Sequence, residues 1–186
     1  MASVSSVFRR WAPHTDAAGI VYDLRHVHPL QYTLTLDATF TYAARDVPIH
    51  VGFSSHTFTK ECDAADAHSA YSSPNDHRRF CPERYRHSQR LPGVVTNLKG
   101  RNCYFNQSRP NYLVAEIAGV PEGFEYWVFF KLRPAGKNPQ APSAVVMMVE
   151  SAYVGKITSP PYGSKPKKIS FSTLVGMVVL GKNPKR

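Results

Sequence analysis

Six consecutive apolar residues, Ala144 to Val149 (AVVMMV), constrain this chain most tightly. The run is rich in Val and Met and contains neither Gly nor Pro. A run this short and unbroken reads as a strand buried on both faces. Glu150, Ser151, Tyr153 and Lys156 follow within seven residues. A rigid strand that ends in a carboxylate, a hydroxyl, a phenol and an amine is suited to positioning reactive groups. The plain alternative is a core strand emerging into solvent.

The rest of the chain surrounds that strand with others. Gln31 to Leu36 (QYTLTL) alternates polar and apolar residues, and Pro48 to Phe53 (PIHVGF) does the same. Together they read as a ribbon with one wet face, which Phe40 and Tyr42 extend. Residues 102–107, Tyr112 to Ile117 and Phe124 to Leu132 precede the central run as further strands, separated by Pro, Asn and Gly turns. Short connections predict an antiparallel meander. The aromatic run Tyr126 to Phe130 reads as core, with a nucleic-acid stacking platform as its alternative. Pro82 to Leu98 predicts two short helices, Pro82 opening the first and Pro92-Gly93 interrupting the pattern. Residues 169–180 read as a strand or a final helix. The expected fold is α+β, a mostly antiparallel sheet of about five to six strands with short helices packed against it.

The 186 residues fit one domain, 1–186. Within it lie an arm at 1–29, a polar insert loop at 54–81 with one short helix over Asp63 to Tyr71, and a basic segment at 157–186. Lys and Arg number 23 against 13 Asp and Glu. Beyond Ser151 there are seven basic residues, Lys156, Lys165, Lys167, Lys168, Lys182, Lys185 and Arg186, and no acidic one. That imbalance predicts an anionic partner: RNA or another nucleic acid first, then an acidic protein. Three cysteines, an odd number without a dense framework, fit a reducing cytoplasm. No run approaches the ~18 apolar residues of a membrane helix, so no membrane partner is expected.

Cys62, His68, Cys81 and His87 supply zinc-ligand types in a repeated C-x5-H spacing. That spacing matches no common zinc module, so zinc is only an alternative and no cofactor is expected. GxSxG, P-loop, GxGxxG and HExxH motifs are absent. What remains is acid–base chemistry on a phosphodiester. Cleavage of RNA through its own 2′-hydroxyl needs a base, an acid and cations around the phosphate. His56, in GFSSHTFTK, is the best proton-transfer candidate, with Glu150 as a second base and Tyr153 beside it. Ser151, Lys156, Arg84, Arg86, Arg90 and Arg101 are candidate substrate contacts.

An N-terminal ribbon, a basic helical segment and a four-strand meander, in that order, resemble the small ribonuclease superfamily of barnase-like and RelE-like toxins. The match runs over residues 45–156 in architecture. Glu150 to Val154 (ESAYV), closing an apolar strand, resembles the strand end of polymorphic-toxin ribonucleases, and His56-Thr57 fits a histidine-centred variant. Val154 stands where such proteins often carry Pro, and the insert at 54–81 is long for them. The resemblance implies a metal-independent toxin-like endoribonuclease, with an acidic antitoxin as partner. The alternative is a non-enzymatic nucleic-acid- or protein-binding regulatory or inhibitor module, of phage or mobile-element type.

Overall fold

A computed structural model describes residues 8–39, 43–106, 111–116, 119–135, 144–164 and 166–182. Phe40, Tyr42, Ser143, Lys165, Lys185 and Arg186 lie outside the described residues, as do 107–110, Ile117 and 136–142.

The central run extends further than its apolar residues. It forms a 13-residue strand, Ala144–Lys156. Val145, Met147 and Val149 enter the main core, and Ala144 and Val146 join Phe8 and Ala135 on the opposite face. Burial on both faces is therefore the case for its first half, as the unbroken apolar pattern requires.

In chain order the strands are β1 (His14–Thr15), β2 (Val21–Tyr22), β3 (Leu30–Leu36), β4 (Arg45–Phe53), β5 (Thr59–Glu61), β6 (Arg78–Phe80), β7 (Asn102–Phe105), β8 (Tyr112–Glu116), β9 (Phe124–Ala135), β10 (Ala144–Lys156) and β11 (Lys168–Ser170). The helices are α1 (Pro82–Ser88), α2 (Leu91–Thr96) and α3 (Phe171–Val179). The fold is α+β. Its main sheet has seven strands in the order β11-β7-β8-β9-β10-β4-β3. β7 to β10 form the expected meander, and β3 and β4 the expected ribbon.

Two features differ from the expected sheet. There are seven strands, because β11 adds to the edge of β7. And β4 joins β10 in parallel, Ile49 opposite Val145 through Phe53 opposite Val149. Parallel neighbours need a long crossover, and here the insert, two helices and three strands supply it. No local turn signal announces such a pairing.

The three peripheral segments are also more structured than their composition suggests. In the arm, the Trp11 indole donates to the Phe53 carbonyl at 3.0 Å, and Leu24 and Val27 are fully buried. The insert at 54–81 is no simple loop: β5 and β6 pair as a ribbon, with Arg78 buried between them and bonded to Thr59. Its expected helix shrinks to one 3-10 turn, Ala64–Asp66. The basic segment contributes β11 and α3, whose Phe171, Leu174 and Val175 are fully buried. Ser170 caps α3 by accepting from the Thr173 amide at 3.1 Å. Among the described residues no helix is long and apolar enough to cross a membrane.

β9 divides its aromatics between the two faces. Tyr126, Val128 and Phe130 enter the main core, while Trp127 and Phe129 form a second cluster with Leu113, flanked by Tyr104, Tyr153 and Tyr162. Trp127 lies directly over Gly155, where a Cβ would sit 1.9 Å from its ring. Gly155→Ala is expected to displace the indole and cost about 1–3 kcal/mol. Thermal unfolding checks this, and an unchanged melting temperature would refute it.

Burial lowers the pKa of His14, His26, His50, His56 and His87 below the ordinary histidine value. The unfolded chain therefore takes up protons first as the pH falls. Stability contributed by these neutral side chains is full above about pH 6.5 and is lost below it. Denaturant midpoints compared at pH 7.5 and pH 5.5 are expected to be lower at the acidic pH.

Candidate functional site

β4 and β10 part company immediately after Phe53 and Val149, their last paired residues. β10 slips register against β9 at the same place: Val149 faces Phe130 and Ser151 faces Phe129, leaving Glu150 in a bulge. Such bulges re-aim a side chain.

Ser54 joins the two sides of this opening. Its amide donates to the Val149 carbonyl at 3.0 Å, and its hydroxyl donates to the Glu150 carbonyl at 2.7 Å. The same oxygen accepts from the His56 amide at 3.1 Å, capping a 3-10 turn over Ser55–Thr57. The local sequence S-S-H-T thus builds a hydroxyl-capped turn, and that turn presents His56 beside the Glu150 bulge.

His56 Nε2 lies 2.6 Å from Asp76 Oδ2. The other Asp76 oxygen accepts from Arg78 at 3.2 Å. Burial raises Asp76, but its hydrogen bonds from Arg78 and His56 bring it below the usual carboxylate value. Burial and the Arg78 charge hold His56 below its ordinary value, against the opposing pull of Asp76. Near neutral pH His56 is therefore an uncharged imidazole with a carboxylate partner, as a proton acceptor requires.

Glu150 is held from two directions. Lys131 forms an ion pair with one carboxylate oxygen, and the Asn111 amide donates to the other at 2.9 Å. Asn111 in turn accepts from Asn106 at 2.8 Å, and both asparagines are buried. Arg84 donates to the carbonyls of His56 and Thr59, with its guanidinium 5.1 Å from the centre of the Tyr153 ring. Tyr153 stacks on Phe129 at 5.4 Å.

These groups surround one open cavity of about 680 Å³. Ser54, His56, Arg78, Arg84, Lys131, Glu150, Ser151 and Tyr153 all contribute to its wall. Three cations, a neutral histidine, the anchored Glu150 carboxylate and a second carboxylate, Glu61, thus face one space. The arrangement can hold an anion and move a proton beside it.

Four of the expected site residues other than His56 converge here: Glu150, Tyr153, Ser151 and Arg84. Four do not. Arg86 and Arg90 line a separate cavity. Lys156 is exposed at the far end of β10. Arg101 reaches the Ala115 carbonyl at 3.1 Å. The zinc alternative also disperses. His68 stacks on Tyr71, His87 packs against Tyr126, and Cys81 is buried at the start of α1. Among the described residues no three Cys, His, Asp or Glu side chains are grouped so as to hold a metal ion.

Sequence reasoning missed Asp76, Arg78, Lys131, Asn106 and Asn111 as site residues. Asp76 and Asn111 read as turn residues. Lys131 carried a usable signal, a cation following the apolar run that ends in Phe129-Phe130.

The model of the YjaZ family matches residues 13–179, nearly the whole chain. The chain belongs to the YjaZ family. No curated protein and no solved structure gives a significant match. The match spans every element that builds the cavity in this YjaZ-family chain, from the turn carrying His56 to β10.

The role of Asp76 can be measured directly. Asp76→Asn removes the charge that raises His56, so its imidazole is expected to titrate lower still. An NMR titration of His56 reads this, and an unchanged or higher pKa would contradict the dyad.

Proposed function

We propose that this chain is an endoribonuclease of the metal-independent, toxin-like kind. One observation carries the reading: a neutral His56, hydrogen-bonded behind to Asp76, lines the same open cavity as the cations Arg78, Arg84 and Lys131 and the carboxylates Glu61 and Glu150. His56 takes the 2′-hydroxyl proton as the 2′ oxygen attacks the adjacent phosphorus. The P–O5′ bond breaks, a cyclic 2′,3′-phosphate forms, and the Tyr153 phenol gives its proton to the departing oxygen. Arg78, Arg84 and Lys131 stabilise the added charge on the phosphate. Glu150 orients Lys131 and is a second base for the same proton. Ser151 lies one position beyond the bulge, where it contacts a bound strand.

The element order, two helices and then a four-strand meander, supports the likeness to barnase-like and RelE-like toxins. The net charge of +10 supports RNA as substrate and an acidic antitoxin as partner. A cytoplasmic location fits both. A second reading, a binding module without cleavage, is favoured by the engagement of Arg84 with two backbone carbonyls.

Labelled RNA incubated with the chain in EDTA separates the two. Cleavage is expected to leave cyclic phosphate ends, with an acid limb of the pH–rate profile below the ordinary histidine value. His56→Ala is expected to slow it by about 100-fold or more. Intact RNA, together with binding that weakens steeply with salt, would favour the binding module instead.

A further inference from the structure

Residues of α1 and of the turn after it line two separate cavities. Tyr153 and Val154 are adjacent on β10 and point to opposite faces of the sheet: Tyr153 joins the cluster around Trp127, Val154 the main core. Arg84 reaches the Tyr153 side. Arg86 and Arg90, from the same helical segment, instead line a second cavity of about 580 Å³ beside Val154.

Beneath this second cavity lies an unmet hydrogen-bonding demand. Arg90 Nη1 is buried and has no partner among the described residues. Its guanidinium lies 5.4 Å from the centre of the Tyr126 ring, and the Tyr126 hydroxyl is likewise buried without a partner. A buried guanidinium N–H left unpaired is costly, and a small turn of the Arg90 side chain would bring it to a ligand oxygen in the cavity that Arg90 lines. Gly119, at φ +68°, lies alongside: a Cβ there would sit 3.5 Å from Arg90 Nη1. The remaining wall is divided. Arg86 and Arg90 stand against one carboxylate, Glu83, while Val120, Pro121 and Phe124 are apolar.

We infer that this cavity is a second binding site, for the phosphate of a nucleotide unit. The two guanidiniums take the phosphate oxygens, for which a multidentate donor set is well suited. The apolar wall at Pro121 and Phe124 takes the sugar or base. The site does not require that the first cavity cleave RNA, so either can fail alone.

Amide NMR of the full chain, titrated first with inorganic phosphate and then with adenosine 5′-monophosphate, tests it. Saturable shifts are expected at Gly119, Val120 and Val154, with the nucleotide binding more tightly than phosphate. Arg86→Gln and Arg90→Gln are each expected to weaken binding by about tenfold or more. Lys60→Gln, an exposed cation lining neither cavity, is expected to leave it unchanged. Arg86 is exposed, so its variant keeps the test valid should Arg90→Gln misfold. A 2′-deoxy oligonucleotide that binds more tightly than the monophosphate would identify a bound strand as the source. Equal affinity would identify a free nucleotide. Absent shifts, or unchanged affinity in the folded Arg86→Gln variant, would overturn the inference.

Discussion

The parallel contact between β4 and β10, and the place where it ends, governs this molecule. Ile49 and Val51 pair with Val145 and Met147, and all four are fully buried in the main core. Burial of such a side chain is worth about 1.5–3 kcal/mol. This contact therefore anchors two strands that are remote in sequence. At Phe53 and Val149 it stops. Ser54 then makes with its amide and hydroxyl the bonds to β10 that close the pair. The turn with His56, the Glu150 bulge and the cavity between them all start from that parting. Were β4 to continue along β10, the edge that now opens into the cavity would be sealed.

The charges around the cavity form linked pairs. Asp76 is shared between His56 and Arg78, and Arg78 is buried against β5. Glu150 is shared between Lys131 and the buried Asn111, which Asn106 supports from behind. Each carboxylate thus has both a cation and a neutral donor, and for Asp76 these bonds outweigh its burial. The insert at 54–81 supplies His56, Asp76 and Arg78 together. Its polarity reflects a built wall of the site, held by side-chain hydrogen bonds in place of apolar packing.

Much of the scaffold was legible. The alternation in β3 and β4, the Pro82 start of α1, the break before α2 and the meander of β7 to β10 follow from short-range rules. So did His56, Glu150, Ser151, Tyr153 and Arg84 as candidates, since each has a side chain suited to the chemistry beside a strand end or helix start. The grouping of Arg84 with Arg86 and Arg90 was not legible. Two residues along a helix turn a side chain through most of half a circle, which is enough to send Arg84 and Arg86 to different faces of the sheet. The Cys and His spacing suggested a shared site for a similar reason: sequence separation carries no direction.

The amino-acid sequence by itself determined β3, β4, β7 to β10, the start of α1 and the apolar faces of these elements, because alternation, capping and turn chemistry act within a few residues. Only the tertiary structure decided that β4 runs parallel to β10 and that Asp76, Lys131 and Asn111 complete the site. The Ser54 hydroxyl meets the Glu150 carbonyl across 96 positions of chain. A contact of that range is selected by packing of the whole core, and no neighbouring residue encodes it.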